Sequence, residues 1–337
     1  MRDLVSRSIP FSPPDISELE EKEVIEALRS GWITTGPRTK ELERRLAEFC
    51  HTSKVVCLNS ATAAEELNFR ICGIGESDEV IVPAYTYTAS ASAAIHCGAK
   101  VVFVDIRPDT MNIDEKLIEN AITDKTVAIV PVHYAGVSCE MDTIMEIAEK
   151  YNLKVVEDAA QGVMSKYKGK SLGTIGDYGC YSFHETKNYS MGEGGAILIR
   201  DAKDSDRAEI VREKGTDRSR FLRGQVDKYT WVAAGSSYLP SDLNAAYLYA
   251  QLEVAQQVFD DRMNSWNKYN EAFKYLKDKG VIETPFVPEE CEHNAHMYYI
   301  KLDNIEERTK FINYMKENDI LTVFHYIPLH SAPAGRE

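Results

Sequence analysis

Residues 180–195, which read CYSFHETKNYSMGEGG, are the segment from which the fold and the function of the chain are best inferred. Their apolar, aromatic start is typical of a buried strand, and a glycine-rich turn follows Lys187. A second apolar run, from Ala196 to Ile199, comes directly after that turn. The order predicts a strand, a loop and a strand, with Lys187 in the loop.

Lys187 is either a solvated surface lysine, which is the common situation for this residue type, or a reactive amine. Four polar side chains stand close before it, at 182 and 184–186, and Glu157 and Asp158 follow an apolar run upstream. A lysine amine forms a Schiff base with a carbonyl, and pyridoxal phosphate (PLP) is the common cofactor that needs one. PLP also requires a phosphate site, a carboxylate for its pyridine nitrogen and an aromatic face.

Composition indicates a soluble globular protein of one large domain and one smaller one. The chain has 337 residues, of which 44% are hydrophobic and 27% charged. A net charge of −14 disfavours binding to nucleic acid or to membrane surfaces. The seven cysteines form no C-x-x-C pair, so we expect reduced thiols and no metal site. No apolar run nears the roughly 20 residues of a membrane span, and residues 1–4 lack a signal core, so we expect a cytoplasmic protein.

Strands and helices alternate through the first half of the chain. Apolar segments predict strands at 54–58, 79–82, 100–104, 126–130 and 153–156. Because these segments lack polar alternation, they indicate an α/β fold with a mostly parallel sheet between helices. Ligands of such sheets lie at the carboxyl ends of the strands, where residues 60–62, 85–87 and 158–161 fall.

The last third of the chain predicts a smaller α+β domain. Residues 242 to about 276 predict one long helix that leads from a large domain (1–241) to a small one (242–337). In the small domain we expect strands at 297–302 and 321–326 and a helix at 306–318.

Three features at strand ends meet the requirements of PLP, and each has an ordinary alternative. Residues 59–63 bring small hydroxyl side chains to a helix start, which suits a phosphate or is a simple N-cap. Asp158 either pairs with the pyridine nitrogen or caps the next helix, and Gln161 lies one turn further on. Tyr87 either stacks on the ring or packs locally. Ser182 offers a further hydroxyl to the phosphate.

Motifs along nearly the whole chain carry a family resemblance. They are GWITTGP (31–37), NSATA (59–63), PVHYAG (131–136), EDAAQ (157–161) and SFHETKN (182–188). Together they resemble the DegT/DnrJ/EryC1/StrS nucleotide-sugar aminotransferases, which are fold-type-I PLP enzymes. The resemblance implies that Lys187 holds PLP and moves the proton during catalysis, and that Asp158 pairs with the pyridinium. It places the other cofactor contacts at Ala61, Thr62, Tyr87, Gln161 and Ser182.

From residue 100 to residue 255 the chain is similar to family members that aminate C4 of dTDP-4-keto-6-deoxyglucose with L-glutamate. The resemblance therefore implies this sugar and this amino donor. Substrate contacts are expected from Thr35, His184, Arg218, Arg223, His325 and His330. His325 and His330 either contact the sugar or have a packing role. The two arginines lie in a locally basic stretch, 212–228, which either holds the diphosphate or is a solvated charged loop.

The resemblance also implies a homodimer with active sites shared between the subunits. Leu239 stands where many members have an asparagine three residues before the position of Asp242, so Ser241 is the candidate for that partner-supplied phosphate contact. Members continue for a few dozen residues beyond the position of Glu337, so we expect a truncated small domain.

Three alternatives remain in view. A non-catalytic PLP-binding regulator or an inactive truncated member would share these motifs. A sugar 3-dehydratase carries histidine at the lysine position, so Lys187 argues against it. A Rossmann dehydrogenase is disfavoured because no G-x-G-x-x-G follows the first strand.

Overall fold

A computed structural model describes residues 8–337 of the chain, and its core is a seven-stranded sheet. Residues 1–7, which include the start of the predicted large domain and the segment 1–4 that lacks a signal core, lie outside this part. The strands, which include those of a second, three-stranded sheet, are β1 (Lys54–Leu58), β2 (Glu79–Pro83), β3 (Lys100–Val104), β4 (Thr126–Ile129), β5 (Lys154–Asp158), β6 (Lys166–Tyr167), β7 (Lys170–Ser171), β8 (Tyr178–Ser182), β9 (Gly195–Ile199) and β10 (Cys291–Glu292).

Helices connect these strands and cover the sheet. They are α1 (Glu18–Ser30), α2 (Pro37–Cys50), α3 (Ala61–Cys72), α4 (Ala89–His96), α5 (Glu115–Ala121), α6 (Met141–Tyr151), α7 (Ser205–Arg212), α8 (Arg218–Leu222), α9 (Asp242–Glu253), α10 (Ala255–Asp278) and α11 (Ile305–Glu317). None of the helices within residues 8–337 has the length and apolar character that crossing a bilayer requires.

The central sheet has the strand order β1-β9-β8-β5-β4-β2-β3. Its strands run parallel except β9, which pairs antiparallel with both β1 and β8. The predicted α/β fold with a mostly parallel sheet is therefore confirmed. The pairing of β5 with β8 sets Asp158 directly opposite Cys180, near the Lys187 loop.

Neighbouring residues on one strand enter different apolar cores, which shows that both sheet faces are covered. Ile81 and Val155 pack in one core, whereas Val80 and Val156 pack in the other. All four side chains are fully buried. Because successive side chains point to opposite faces of a strand, a continuous apolar run is what such a sheet needs.

The GWITTGP segment is tied to a helix far along the chain. Asp242, at the start of α9, is 1% exposed and accepts hydrogen bonds from the backbone N–H groups of Gly36, Arg38 and Thr39 at 2.8–3.1 Å. The carboxylate thus satisfies free N–H groups at the start of α2. This contact and the packing of α9 on α1 and α2 join the N-terminal helices to α9, and α2 also packs on β1 of the sheet.

Three predictions in the C-terminal third were wrong in detail. The single helix from residue 242 is two helices, since Val254 leaves the helical conformation at φ −112° and ψ 17°. Residues 297–302 and 321–326 form no strands. The first segment makes one isolated bridge, Lys301 with Glu283, and the bridge nearest the second joins Ile320, the residue before it, to Ile9. Segments rich in apolar and aromatic residues predict an extended chain, but a strand also needs a continuous hydrogen-bonded neighbour. The domain division at residues 241 and 242 stays a prediction.

Candidate active site

A cavity of about 940 Å³ opens where β5 and β8 end. Its volume falls in the range of about 300–1,000 Å³ that small-molecule sites occupy. It brings together most of the residues predicted for a cofactor site, namely Ala61, Thr62, Tyr87, Asp158, Gln161, Ser182, His184, Lys187 and His325. Thr35, Arg218, Arg223 and His330 do not line it.

Lys187 lies in the loop between β8 and β9, as predicted. Its backbone N–H donates to the carbonyl oxygen of His184 at 2.9 Å, and the ring Nδ1 of His184 lies 3.0 Å from the hydroxyl of Thr186. Burial lowers the pKa of the Lys187 amine below its usual value, while the charge of Asp158 opposes that change. An amine with a lowered pKa is neutral over more of the ordinary pH range, which suits both Schiff-base formation and proton transfer.

Asp158 is the last residue of β5 and is 5% exposed. Its Oδ2 accepts a hydrogen bond from the hydroxyl of Ser90 at 2.7 Å, and its Oδ1 accepts one from the N–H of Ala160 at 3.0 Å. Both bonds hold the carboxylate at the wall of the cavity. Glu65 of α3 also lines that wall, beside Asp158.

The neighbouring acid, Glu157, has a structural role. Its side chain is fully buried and accepts hydrogen bonds from the backbone N–H groups of Gly173, Ile175 and Gly176 at 2.6–2.8 Å. The Nε2 of His133 lies 2.9 Å from the same carboxylate. Since the Nδ1 of His133 accepts from the N–H of Cys139, its Nε2 carries the proton that is donated to Glu157. These contacts tie the loop before β8 to β5.

The start of α3 forms a cradle that fits a phosphate. The Ser60 side chain caps the N–H of Ala63 at 3.0 Å, so the N–H groups of Ala61 and Thr62 are left for a ligand. Both residues line the cavity. A Cβ atom at Gly195 would lie 2.5 Å from the nitrogen of Ala61, so only glycine lets β9 approach this helix start so closely.

Aromatic side chains form another wall of the cavity. Tyr87 is 62% exposed, and its ring centre lies 6.2 Å from that of Tyr326. Tyr326 in turn stacks on His325 at 4.4 Å. Gln161 is oriented by the N–H of Ala135, which donates to its Oε1 at 2.6 Å, and its Nε2 lies 3.4 Å from the Tyr326 hydroxyl. Tyr87 and Gln161 therefore line the same cavity as Asp158.

The other predicted substrate residues make different contacts within this chain. The Thr35 hydroxyl donates to the carbonyl oxygen of Pro240, and His330 is exposed in a turn. Arg218 pairs with Glu213 at 2.6 Å. The other arginine, Arg223, pairs with two carboxylates, those of Asp206 and Glu209.

Sequence reasoning missed three residues that shape the site: Glu65, Ser90 and Tyr326. Glu65 had a signal, because it is an acid between buried alanine and leucine positions on one helix. Ser90 stands in an Ala- and Ser-rich helix, where one serine cannot be told from the next. The place of Tyr326 in the site depends on contacts with residues far away in the sequence, so its own segment gave no signal.

Comparison with known proteins places this site in context. The model of the DegT/DnrJ/EryC1/StrS aminotransferase family matches residues 14–337. An uncharacterized protein, MJ1066, of Methanocaldococcus jannaschii is 39% identical, over 98% of this chain and 86% of its own length. The spore coat polysaccharide biosynthesis protein SpsC of Bacillus subtilis is 36% identical, over 96% of this chain and 85% of its own length.

Solved structures of sugar aminotransferases are also similar to this chain. Spr1654 of Streptococcus pneumoniae, assigned as a sugar aminotransferase, superimposes in its PLP form with a TM-score of 0.90 at 36% identity, covering 98% of this chain and 88% of that one. Its PMP form gives a TM-score of 0.91 at 37% identity, covering 98% and 87% of the two chains. Together with the phosphate cradle, Lys187 and Asp158, these structures indicate pyridoxal phosphate as the cofactor.

Proposed function

The chain belongs to the DegT/DnrJ/EryC1/StrS aminotransferase family, and from that premise we propose that it transfers the amino group of L-glutamate to a nucleotide-linked keto-sugar. The sugar in this proposal is dTDP-4-keto-6-deoxyglucose, aminated at C4 to give dTDP-4-amino-4,6-dideoxygalactose. The observation that carries the proposal is the joint lining of one cavity by Lys187, Asp158 and the start of α3.

Each cofactor contact has a residue suited to it. PLP, when bound, supplies an electron sink for the charge that remains after a proton leaves the amino acid. The Lys187 amine, with its lowered pKa, takes and returns that proton. Asp158, oriented by Ser90, would pair with the pyridine nitrogen. The N–H groups of Ala61 and Thr62 would hold the phosphate, and the Ser182 hydroxyl would add a donor.

The similarity to SpsC, a spore coat polysaccharide biosynthesis protein, supports a sugar as the amino acceptor. In this proposal the sugar lies near His184 and His325, which line the cavity. Lys187 itself disfavours the 3-dehydratase alternative, since those relatives carry histidine at its position. The cytoplasmic location expected from the sequence stays a prediction.

A homodimer is part of the proposal. Residues 221–232 expose a group of apolar side chains that a second subunit would cover: Phe221, Leu222, Tyr229, Trp231 and Val232. Arg218 and Arg223 lie beside this group, outside the cavity of their own chain. In this proposal Arg218 and Arg223 bind the nucleotide diphosphate in the partner's cavity. Thr35 and His330 contact the sugar there.

The test is an assay of the purified protein with PLP. L-Glutamate alone should bleach the visible absorption of the bound cofactor and release one 2-oxoglutarate per site. The bleached protein should then aminate dTDP-4-keto-6-deoxyglucose, and NMR of the product reads the carbon and its configuration. A protein that binds PLP but is not bleached by glutamate would favour the regulatory alternative. Amination of only a UDP-linked sugar would overturn the proposed substrate while leaving aminotransfer in place.

A further inference from the structure

Glu65 is a buried carboxyl group that the reaction described above does not use. It lies one turn into α3, is 1% exposed and lines the cavity. Its Oε2 has no hydrogen-bond partner among residues 8–337, and its Oε1 lies 3.8 Å from the sulfur of Cys180. Burying a carboxyl group with so few partners is costly, so its place beside the cofactor site requires an explanation.

The neighbour of Glu65 is Asp158. A carboxylate oxygen from each residue and the Cys180 sulfur all lie within 4.8 Å of one another. Two buried carboxyl groups this close do not both ionise. Asp158 accepts hydrogen bonds from Ser90 and from the N–H of Ala160, whereas Glu65 has only a weak thiol donor, so Glu65 is the less satisfied carboxyl group of the two.

We propose that Glu65 is a positioning residue whose protonated carboxyl donates a hydrogen bond to Asp158 and holds it in place for the pyridine nitrogen of PLP. The pair then carries one proton and one negative charge. Burial and the charge of Asp158 raise the pKa of Glu65 well above its usual value, which agrees with the protonated form. The inference rests on the proposed function, because it assumes that PLP binds in this cavity.

The groups that face Glu65 come from four elements. They are Glu66 on α3, Asp158 on β5, Cys180 on β8 and Lys187 in the loop that follows β8. The Lys187 amine has a lowered pKa, so it offers Glu65 less compensating charge than an ordinary lysine. Asp158 is thus the acceptor toward which a proton on Glu65 is directed.

The first experiment measures the melting temperature of the PLP-free protein against pH. The raised folded pKa of Glu65 contributes stability fully below the unfolded value of about 4.3, and this contribution is lost as the pH rises toward the folded pKa. Glu65→Gln has no such loss. The melting temperature of Glu65→Gln relative to the original protein should therefore increase with pH, by about 2 °C or more between pH 5 and pH 8.

The matched control is Glu66→Gln. Glu66 lies next to Glu65 on α3, but its carboxylate contacts His96 at 2.7 Å and Arg70 at 4.0 Å. Its replacement should give no relative gain in melting temperature as the pH rises. If the difference in melting temperature between Glu65→Gln and the original protein does not change with pH, the proposal that Glu65 is protonated is wrong.

The second experiment measures the dissociation constant of PLP by titration of the PLP-free protein. The amide of Glu65→Gln still donates to Asp158, so its constant should stay within about twofold. Glu65→Leu removes the donor and should weaken binding about tenfold. Glu65→Met, also without a donor, gives the same comparison if the leucine variant does not fold.

Equal PLP affinity in all variants, or equal loss in the glutamine and leucine variants, would overturn the positioning role. An original protein that binds no PLP would instead contradict the proposed function, and the melting experiment would still decide the state of Glu65.

Discussion

The Ser90 hydroxyl lies 2.7 Å from Oδ2 of Asp158, so α4 supplies a donor to the carboxylate that ends β5. Ser90 is itself fully buried, and its oxygen lies 3.2 Å from the hydroxyl of Thr86 in the loop before α4. The orientation of the carboxylate is therefore set by two connections, β2 to α4 and β5 to β8, that meet at the same sheet edge.

Replacement of Ser90 by alanine should weaken PLP binding. The variant removes a hydrogen bond to a charged acceptor, which contributes about 1.5–3 kcal/mol, so the dissociation constant should rise about tenfold or more. Titration of the PLP-free protein measures this. Ser92→Ala, on the same helix, is the control and should change little. Equal effects of the two variants would show that Ser90 does not orient Asp158.

The Lys187 amine should react at a lower pH than an ordinary lysine. Its burial lowers its pKa, so in the PLP-free protein its acetylation should reach half of its maximal rate below the usual value of about 10.4. Mass spectrometry of each lysine measures the rates, with the exposed Lys170 as internal reference. Asp158→Asn removes the charge that opposes this change and should lower the pKa of the Lys187 amine further. A Lys187 profile that coincides with that of Lys170 would contradict the prediction.

Conversion of Lys187 to arginine should abolish aminotransfer while leaving the fold intact. Arginine keeps a positive charge but neither forms a Schiff base nor accepts a proton at neutral pH. The release of 2-oxoglutarate from glutamate should fall at least about 100-fold, the lower end of general-base contributions. Lys170→Arg is the control. Substantial turnover by the Lys187 variant would exclude this residue as the catalytic base.

Gly195→Ala should disturb both stability and phosphate binding. The added Cβ would lie 2.5 Å from the nitrogen of Ala61, so β9 and the start of α3 must separate. Overpacking of this kind costs about 1–3 kcal/mol, which urea unfolding measures. Gly75→Ala is the matched control, because its Cβ would meet nothing closer than 3.9 Å. A Gly195 variant as stable as the Gly75 variant would show that the close approach relaxes easily.

The sequence predicted the central sheet well because its signals are local. An apolar run such as 54–58 needs no distant information to read as a buried strand, and the polar residues at its end then fall at the ligand edge. The break at Val254 was not predictable, since neither glycine nor proline marks it within residues 251–256. The segments 297–302 and 321–326 lack neighbouring strands. The residues of a segment alone do not show whether another strand will lie beside it.

The candidate site divides in the same way. Lys187, Asp158 and the α3 start carry motifs, whereas Ser90 and Glu65 act on Asp158 across separate elements. Spatial neighbours of this kind follow from the strand order β4-β5-β8, which skips the short strands β6 and β7. Residues that act through another residue are therefore those that a single sequence reveals least.

The edge position of β1 has a consequence for how the protein is made. β1 pairs with β9 alone, whereas β2, β3 and β4 pair only within the group β2 to β5, and β5 pairs with β4 and β8. During synthesis β1 leaves the ribosome early. It has no native strand partner until residues 195–199, which form β9, have been synthesised. The nascent chain must therefore start its sheet at the opposite edge, with β2 and β3, and add its first strand near the end.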